Sequence, residues 1–186
     1  MTSSRIRAEG AAALAGFILT IPLANWMIGH LGTVCLPEGP CLIPVAPRLM
    51  APSGVLMAGL ALVLRDLVQR RLGVPASIGA ILAGATLSAV LAPAALVLAS
   101  TAAFLLSEFA DLFVYTPLQR RRFLLAVLLS SAAGLVVDSA VFLHLAFGNL
   151  GFLPGQVVGK LWMVGLATPF LIWLRRRDER MGVLPA

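Results

Sequence analysis

The amino-acid sequence predicts an all-α integral membrane protein, a single bundle of six transmembrane helices with both termini on the cytoplasmic side. Of the 186 residues, 60% are hydrophobic and only 12% are charged, whereas a soluble domain is about half apolar and about a quarter charged. The apolar residues form long uninterrupted runs, which are typical of membrane spans. The length fits one transmembrane domain, residues 1–186, with no room for a second.

The positions of the basic residues support this topology. Of the 14 Lys and Arg residues, 12 fall into four short clusters that alternate with apolar runs, as the positive-inside rule requires of cytoplasmic segments. The same placement argues against nucleic-acid binding despite the net charge of +6, because the clusters have no common folded face. The clusters are Arg5 and Arg7; Arg65, Arg70 and Arg71; Arg120–Arg122; and Arg175–Arg177 with Arg180.

The first predicted span runs from about Gly10 to Gly29, with its N-terminus inside. The loop that follows, His30 to Pro47, contains four prolines and is expected to lack regular structure. It also contains the two cysteines of the chain, Cys35 and Cys41. Because the outer side of an inner membrane is oxidising, either a small disulfide loop or two free thiols would fit.

The second predicted span is short. Residues Leu49 to Leu64 would reach roughly 24 Å at 1.5 Å per residue, less than the roughly 30 Å of a bilayer core. Arg65, at its inner end, is expected to extend it by snorkelling to the interface. Asp66 and the segment Gln69–Arg71 are expected to follow outside the membrane, on the inner side.

Residues 74–106 carry no charge, and as one straight helix they would be roughly 50 Å long, too long for one crossing. The arginine clusters on either side should both be cytoplasmic, so the segment between them must cross an even number of times. We predict two short helices separated at Ala92-Pro93, with a re-entrant pair as the alternative. The last two spans are predicted from about Phe123 to Phe147 and from about Phe152 to Leu174, with the tail Arg175–Arg180 inside.

Two ionisable residues, Asp138 and Lys160, lie within apolar spans. A charge in hydrocarbon costs at least a few kcal/mol, so such residues are usually paired, turned inward and functional. Counted along their helices, Asn25, Asp138 and Lys160 each lie roughly 21–23 Å from the cytoplasmic border. Gln156 shares the helix face of Lys160, four residues away.

This layer predicts a polar cavity that binds a small molecule, with Asn25, Asp138, Gln156 and Lys160 as its binding residues. The alternative is an Asp138–Lys160 ion pair that only holds two helices together. Further ionisable residues are candidates for gating or coupling; Glu108 and Asp111 could equally be solvated partners of Arg120–Arg122. The gating or coupling candidates are Arg65, Asp66, Glu108, Asp111 and His144.

No catalytic pattern emerges from the sequence. It lacks a cluster of metal ligands, an H-E-x-x-H motif and a G-x-S-x-G motif. The stretch Gly155-x-x-x-Gly159-Lys160 is one residue too short for a phosphate-binding loop, and it reads better as a small-residue face for helix packing. We therefore expect a transporter without cofactor or metal, and keep a small membrane enzyme as a minor alternative.

Several motifs occur in a fixed order along nearly the whole chain. They are Ala24-Asn25-Trp26; Pro52-Ser53-Gly54-Val55 with Ala58-Gly59; Arg65-Asp66; Ser107–Leu112 with Val114–Leu118; Val137-Asp138-Ser139; Ala146-Phe147-Gly148; and Gly155-Gln156 with Gly159-Lys160. Together these motifs resemble those of the VUT family, the bacterial queuosine precursor transporters once proposed as vitamin uptake transporters.

This resemblance implies a six-span protein of the bacterial inner membrane that imports 7-cyano-7-deazaguanine or a related 7-deazapurine, a precursor of the queuosine base of tRNA. The expected partners are therefore this small molecule and the lipid bilayer; the sequence does not define an oligomeric state. Compact middle spans and the cysteines of the outer loop depart from the family pattern. The alternative function is a membrane subunit that captures a vitamin-like compound for a separate energising complex.

Overall fold

The computed structural model of the chain describes residues 3–37 and 39–183. Within them, six α-helices and a small three-stranded sheet follow one another, which confirms the predicted helical membrane bundle. In chain order the elements are α1 Ser3–His30, β1 Val34–Cys35, β2 Cys41–Ala46, β3 Leu49–Pro52, α2 Val55–Leu72, α3 Val74–Leu91, α4 Val97–Leu118, α5 Phe123–Phe147 and α6 Leu153–Met181.

Glycine and proline mark the boundaries between helices. Gly73, with φ of 88°, separates α2 from α3, and Gly148, with φ of 64°, ends α5, both in backbone conformations that favour glycine. Between α3 and α4 the chain breaks at Ala92 and Pro93 and makes one 3-10 turn. The predicted break in residues 74–106 is thus confirmed, and both helices are long and apolar enough to cross a membrane.

Apart from the buried Arg65, the four arginine clusters lie at one end of the bundle. Glu9 near the start of α1 contacts Arg71 at the end of α2 and Arg177 near the end of α6, at 3.2 and 2.6 Å. Arg120–Arg122 lie in the turn between α4 and α5, which the alternating helix directions place at this same end. We call it the arginine-rich end; the opposite end, with the sheet and the α5–α6 turn, is the sheet end.

The bundle is apolar outside and charged inside, the reverse of a soluble protein. Large apolar side chains such as Leu98, Phe113 and Leu166 are exposed on the outer surface, where a bilayer would cover them. Helix α2 packs against all five other helices and buries its charged residues. Within the part of the chain that the structure describes, five helices meet the length and composition of a membrane span. Helix α2 carries four charges that its neighbours neutralise.

The predicted bounds of the second span are wrong. Leu49 to Pro52 forms strand β3, and α2 begins only at Val55. The helix then continues through Arg65 and Arg71 to Leu72. Arg65 does not snorkel to the interface but is fully buried, because carboxylates from α4 and its own helix surround it.

The outer loop is not irregular, as its prolines suggested. Strand β2 pairs antiparallel with both β1 and β3. Pro44 is tolerated in this central strand because β1 pairs only as far as Leu42, so on that side Pro44 has no strand partner and needs no N–H. Cys35 and Cys41 form a disulfide between β1 and β2, which decides between the two alternatives left by the sequence.

The predicted last span is too short. Helix α6 extends through the basic tail to Met181, well beyond Leu174. The tail stays helical because Asp178 pairs with Arg70 and Arg71 of α2, and Arg177 with Glu9 of α1. These contacts anchor the last two turns of α6 to the rest of the bundle.

Candidate functional site

A cavity lies between the helices in the half of the bundle nearer the sheet end, and all six helices contribute to its wall. It offers ≈ 90 Å³ to the centres of water-sized molecules, enough for several waters, since one needs about 10–15 Å³ on this measure. The lining residues are Thr20, Ile21, Ala24, Asn25, Ile28, Pro52, Gly54, Val55, Met57, Ala58, Ala61, Ser88, Ser100, Phe104, Asp138, Phe142 and Gln156.

Three of the four predicted binding residues line this cavity together: Asn25 of α1, Asp138 of α5 and Gln156 of α6. The Asn25 amide nitrogen donates to the backbone oxygen of Ile21 at 2.9 Å, which holds the side chain against its own helix. Polar groups from three helices thus converge on a wall that is otherwise largely apolar. This combination is typical of sites for small organic molecules.

The fourth predicted residue, Lys160, lies behind Asp138. Its ammonium donates to Asp138 Oδ2 at 2.5 Å and to Ser139 Oγ at 2.7 Å. The lysine side chain is fully buried, whereas 19% of the Asp138 side chain is exposed. The ion pair expected across the α5–α6 hairpin is therefore present, and it presents the carboxylate rather than the ammonium to the larger cavity.

Glycines bring α6 close enough to α2 for this arrangement. A Cβ at Gly59 of α2 would lie 2.8 Å from the backbone oxygen of Lys160. On α6, a Cβ at Gly159 would lie 2.7 Å from Val55 Cγ1 and one at Gly155 2.0 Å from the Met50 backbone oxygen. The Gly155-x-x-x-Gly159 face is therefore a close packing surface, as the sequence indicated.

A second polar group, which we call the buried ion cluster, consists of Arg65, Asp66, Glu108 and Asp111. Arg65 lies 2.8 Å from Asp66, 2.7 Å from Asp111 and 3.4 Å from Glu108, measured between charged atoms. All four side chains are at most 2% exposed. The suggestion that Glu108 and Asp111 pair with Arg120–Arg122 is wrong, because those arginines are exposed at the α4–α5 turn.

Three residues that sequence reasoning missed, Gln69, Tyr115 and Thr116, extend this cluster toward the arginine-rich end. Arg65 Nη1 donates to Gln69 Oε1 at 2.8 Å, and Gln69 Nε2 donates to Thr116 Oγ1 at 2.9 Å. The guanidinium of Arg65 also lies 5.6 Å from the ring centre of Tyr115, which is fully buried. Gln69 follows Arg65 by four residues, so helical spacing could have identified it.

A third group, the terminal ion network, lies at the arginine-rich end and was also missed. Asp178 of α6 accepts from Arg70 at 2.9 Å and from Arg71 at 2.9 Å, and Glu9 of α1 accepts from Arg177 at 2.6 Å. The network thereby links α1, α2 and α6. Its signal in the sequence was the presence of acids within otherwise basic terminal segments.

A smaller cavity connects the first two groups. It offers ≈ 20 Å³ to the centres of water-sized molecules, enough for about one water. Glu108, Asp138 and Lys160 contribute to its wall, and Asp138 also lines the larger cavity. The remaining candidate, His144, lies on the exposed face of α5 near the sheet end, outside the lining of both cavities.

Comparison with known families identifies the family to which the chain belongs. A family model described as "Putative vitamin uptake transporter" matches residues 53–174, about two thirds of the chain. The chain belongs to the VUT family. No curated protein and no solved structure matches it.

As a VUT family member, the protein is a multi-pass membrane transporter for uptake of a small molecule. The matched region begins at Ser53, at the end of β3, and includes helices α2 to α5 and most of α6. Asp138, Gln156, Lys160 and the buried ion cluster lie within it, whereas Asn25 and the disulfide lie outside it.

Proposed function

We propose that this VUT protein imports 7-cyano-7-deazaguanine or a related 7-deazapurine, a queuosine precursor, across the bacterial inner membrane. The observation that carries the proposal is the convergence of Asn25, Asp138 and Gln156 on one cavity with apolar walls. A 7-deazaguanine is a flat ring with hydrogen-bond donors and acceptors along its edge. A carboxylate and two amides match such an edge, and apolar side chains match its faces.

In this proposal, the Asp138 carboxylate accepts hydrogen bonds from the adjacent N–H groups of the guanine-like edge. Lys160 holds the carboxylate by donating to its Oδ2, and the ammonium is itself fixed by donating to Ser139 Oγ. The amides of Asn25 and Gln156 supply further donors and acceptors. Phe104 and Phe142, also on the wall, supply apolar contact for the ring faces.

The position of the cavity suits capture from outside the cell. By the positive-inside rule, the arginine-rich end faces the cytoplasm and the sheet end faces outward. Toward the arginine-rich end, the bundle is filled by a tightly packed apolar core that includes Leu67, Tyr115 and Leu171. Transport then requires α1, α2 and α6 to separate at the terminal ion network, so that the substrate can leave inward.

Uptake into cells that cannot synthesise 7-cyano-7-deazaguanine tests the proposal directly. Cells expressing the protein are supplied with the compound, and queuosine in their tRNA is the readout. We expect queuosine to appear with the wild-type protein and to be lost with Asp138→Asn. Glu179→Gln, which alters an exposed carboxylate on the α6 tail, is the matched control. Absence of queuosine with wild-type protein present in the membrane would refute the substrate assignment.

The second candidate is a membrane subunit that captures a vitamin-like compound, and the description of the matched family favours it. Such a subunit needs a separate energising complex. Purified protein reconstituted alone into liposomes distinguishes the two, because a self-sufficient importer moves its substrate without any added subunit. Binding of the deazapurine without movement across the membrane would favour the second candidate.

A further inference from the structure

We propose that Glu108 is the carrier of a proton that drives substrate import, and that the buried ion cluster is its binding site. The inference rests on the proposed function, because it names the ion that would energise that same transport. Its basis is the excess of negative charge in the buried ion cluster. A small polar cavity connects this cluster to the substrate cavity.

The buried ion cluster contains three carboxylates and one guanidinium. If every group were ionised, its net charge would be −2, from one positive and three negative charges. An uncompensated charge in a membrane interior costs several kcal/mol, and the usual response is protonation. The cluster therefore requires protons or another cation for neutrality.

Glu108 is the least compensated of the three acids. Arg65 Nη2 lies within 2.8 Å of both aspartates, at 2.8 Å from Asp66 and 2.7 Å from Asp111. Ser130 donates a hydrogen bond to Asp66 at 3.0 Å. Glu108 lies farther from Arg65, at 3.4 Å, and among the described residues it is the one acid of the cluster that lines the smaller cavity. Buried carboxylate oxygens without a hydrogen-bond partner among these residues occur on all three acids, so the distance and the cavity single out Glu108. A proton is thus bound most favourably at Glu108.

The smaller cavity supplies the route for this proton. Glu108 lines it together with Asp138 and Lys160, and its ≈ 20 Å³ is enough for about one bridging water. Asp138 also lines the larger cavity, and 19% of its side chain is exposed. A proton entering from the sheet end can therefore pass by way of Asp138 and one water to the Glu108 carboxylate.

The charged groups facing Glu108 explain how proton and substrate movements would be coupled. Arg65 and Asp66 face it from α2, Asp111 from its own helix, and Asp138 and Lys160 from α5 and α6 across the small cavity. A proton bound outside converts the carboxylate to a carboxylic acid and weakens its attraction to Arg65. When the arginine-rich end opens, that proton leaves to the cytoplasm and the ionised Glu108 pairs again with Arg65.

The test uses purified protein in liposomes, with labelled 7-cyano-7-deazaguanine and a clamped membrane potential. With one proton per neutral substrate molecule, an acidic exterior should raise the limiting accumulation about tenfold per pH unit. Glu108→Gln should abolish this accumulation but keep exchange of internal for external substrate, since exchange needs no net proton transfer. Glu108→Asp, which can still bind a proton, should retain accumulation, and Glu179→Gln should match the wild type.

Four outcomes would overturn the inference. Accumulation driven by a pH gradient in Glu108→Gln would place the proton elsewhere. Accumulation driven by a sodium gradient at equal pH would identify a different ion. If the wild type accumulates substrate irrespective of pH, proton coupling is wrong while the proposed function stands. A wild type that neither binds nor exchanges the deazapurine refutes the proposed function and this inference with it.

Discussion

Lys160 and Asp138 are joined by a 2.5 Å hydrogen bond across the α5–α6 hairpin, with the ammonium fully buried and the carboxylate partly exposed at the cavity wall. The pair is therefore asymmetric. A ligand in the larger cavity can contact the Asp138 carboxylate, whereas Lys160 affects that ligand only by holding the carboxylate. The charge-assisted hydrogen bond from Lys160 fixes the position of the carboxylate. This asymmetry makes the two residues separable by experiment.

The first prediction separates binding from packing at this pair. Asp138→Asn leaves the buried ammonium unpaired, so it should lower both protein stability and transport. The double variant Asp138→Asn/Lys160→Met removes both the carboxylate and the ammonium. Its stability should recover because no uncompensated buried charge remains. Transport by the double variant should stay reduced by about 10- to 100-fold, the effect expected when a hydrogen bond between the substrate and a charged group is lost.

Thermal unfolding in detergent and queuosine in tRNA are the two measurements for this series. Lys160→Met alone completes it, and Arg175→Met, at an exposed position on the α6 tail, serves as its matched control. A double variant that recovers stability and transport together would mean that the pair only holds α5 and α6 in place.

The polar layer of Asn25, Asp138 and Lys160 could be predicted from the sequence, because isolated polar residues are easily recognised within apolar runs. Asp138 and Lys160 interrupt long hydrophobic segments, and counting helical turns placed both near Asn25. The structure brings Asn25 and Asp138 to one cavity and pairs Asp138 with Lys160. The helix count and the break at Pro93 followed from local rules of the same kind.

The charged second half of α2 could not be predicted in this way, although its apolar first half was. The segment from Arg65 to Arg71 reads as a solvated loop, because three arginines within seven residues are unfavourable in a membrane. It is buried only because Glu108, Asp111 and Asp178 approach it from α4 and α6. Those partners are distant in sequence, and pairing across such distances leaves no local pattern.

The second prediction concerns the terminal ion network. Asp178→Asn removes the carboxylate that accepts from both Arg70 and Arg71, which are nearly fully buried. Removing one partner of a buried pair costs about 3–5 kcal/mol, because the other charge stays buried. We expect a marked loss of thermal stability in detergent. Glu179→Gln, at the neighbouring exposed pair with Arg175, should cost about 1 kcal/mol or less; equal effects of both variants would contradict the network.

The third prediction compares two glycines of α6. An alanine Cβ at Gly155 would lie 2.0 Å from the Met50 backbone oxygen, so Gly155→Ala must push α6 away from β3. Overpacking of this kind costs about 1–3 kcal/mol, and the shift should also disturb Gln156 and lower transport. None of the described residues has an atom within 4 Å of a Cβ at Gly165, so Gly165→Ala should be neutral or slightly stabilising. Comparable losses of stability in both variants would exclude close packing as the cause.

The fourth prediction tests the disulfide and the orientation of the bundle together. Because Cys35 and Cys41 are bonded to each other at the sheet end, a membrane-impermeant thiol reagent should label intact cells only after reduction. In a Cys35→Ser/Cys41→Ser background, Ser4→Cys places a single thiol at the start of α1, at the arginine-rich end. That thiol should react only after the membrane is made permeable, because the positive-inside rule places this end in the cytoplasm. Labelling of Ser4→Cys in intact cells would reverse the orientation, and with it the proposed direction of substrate capture.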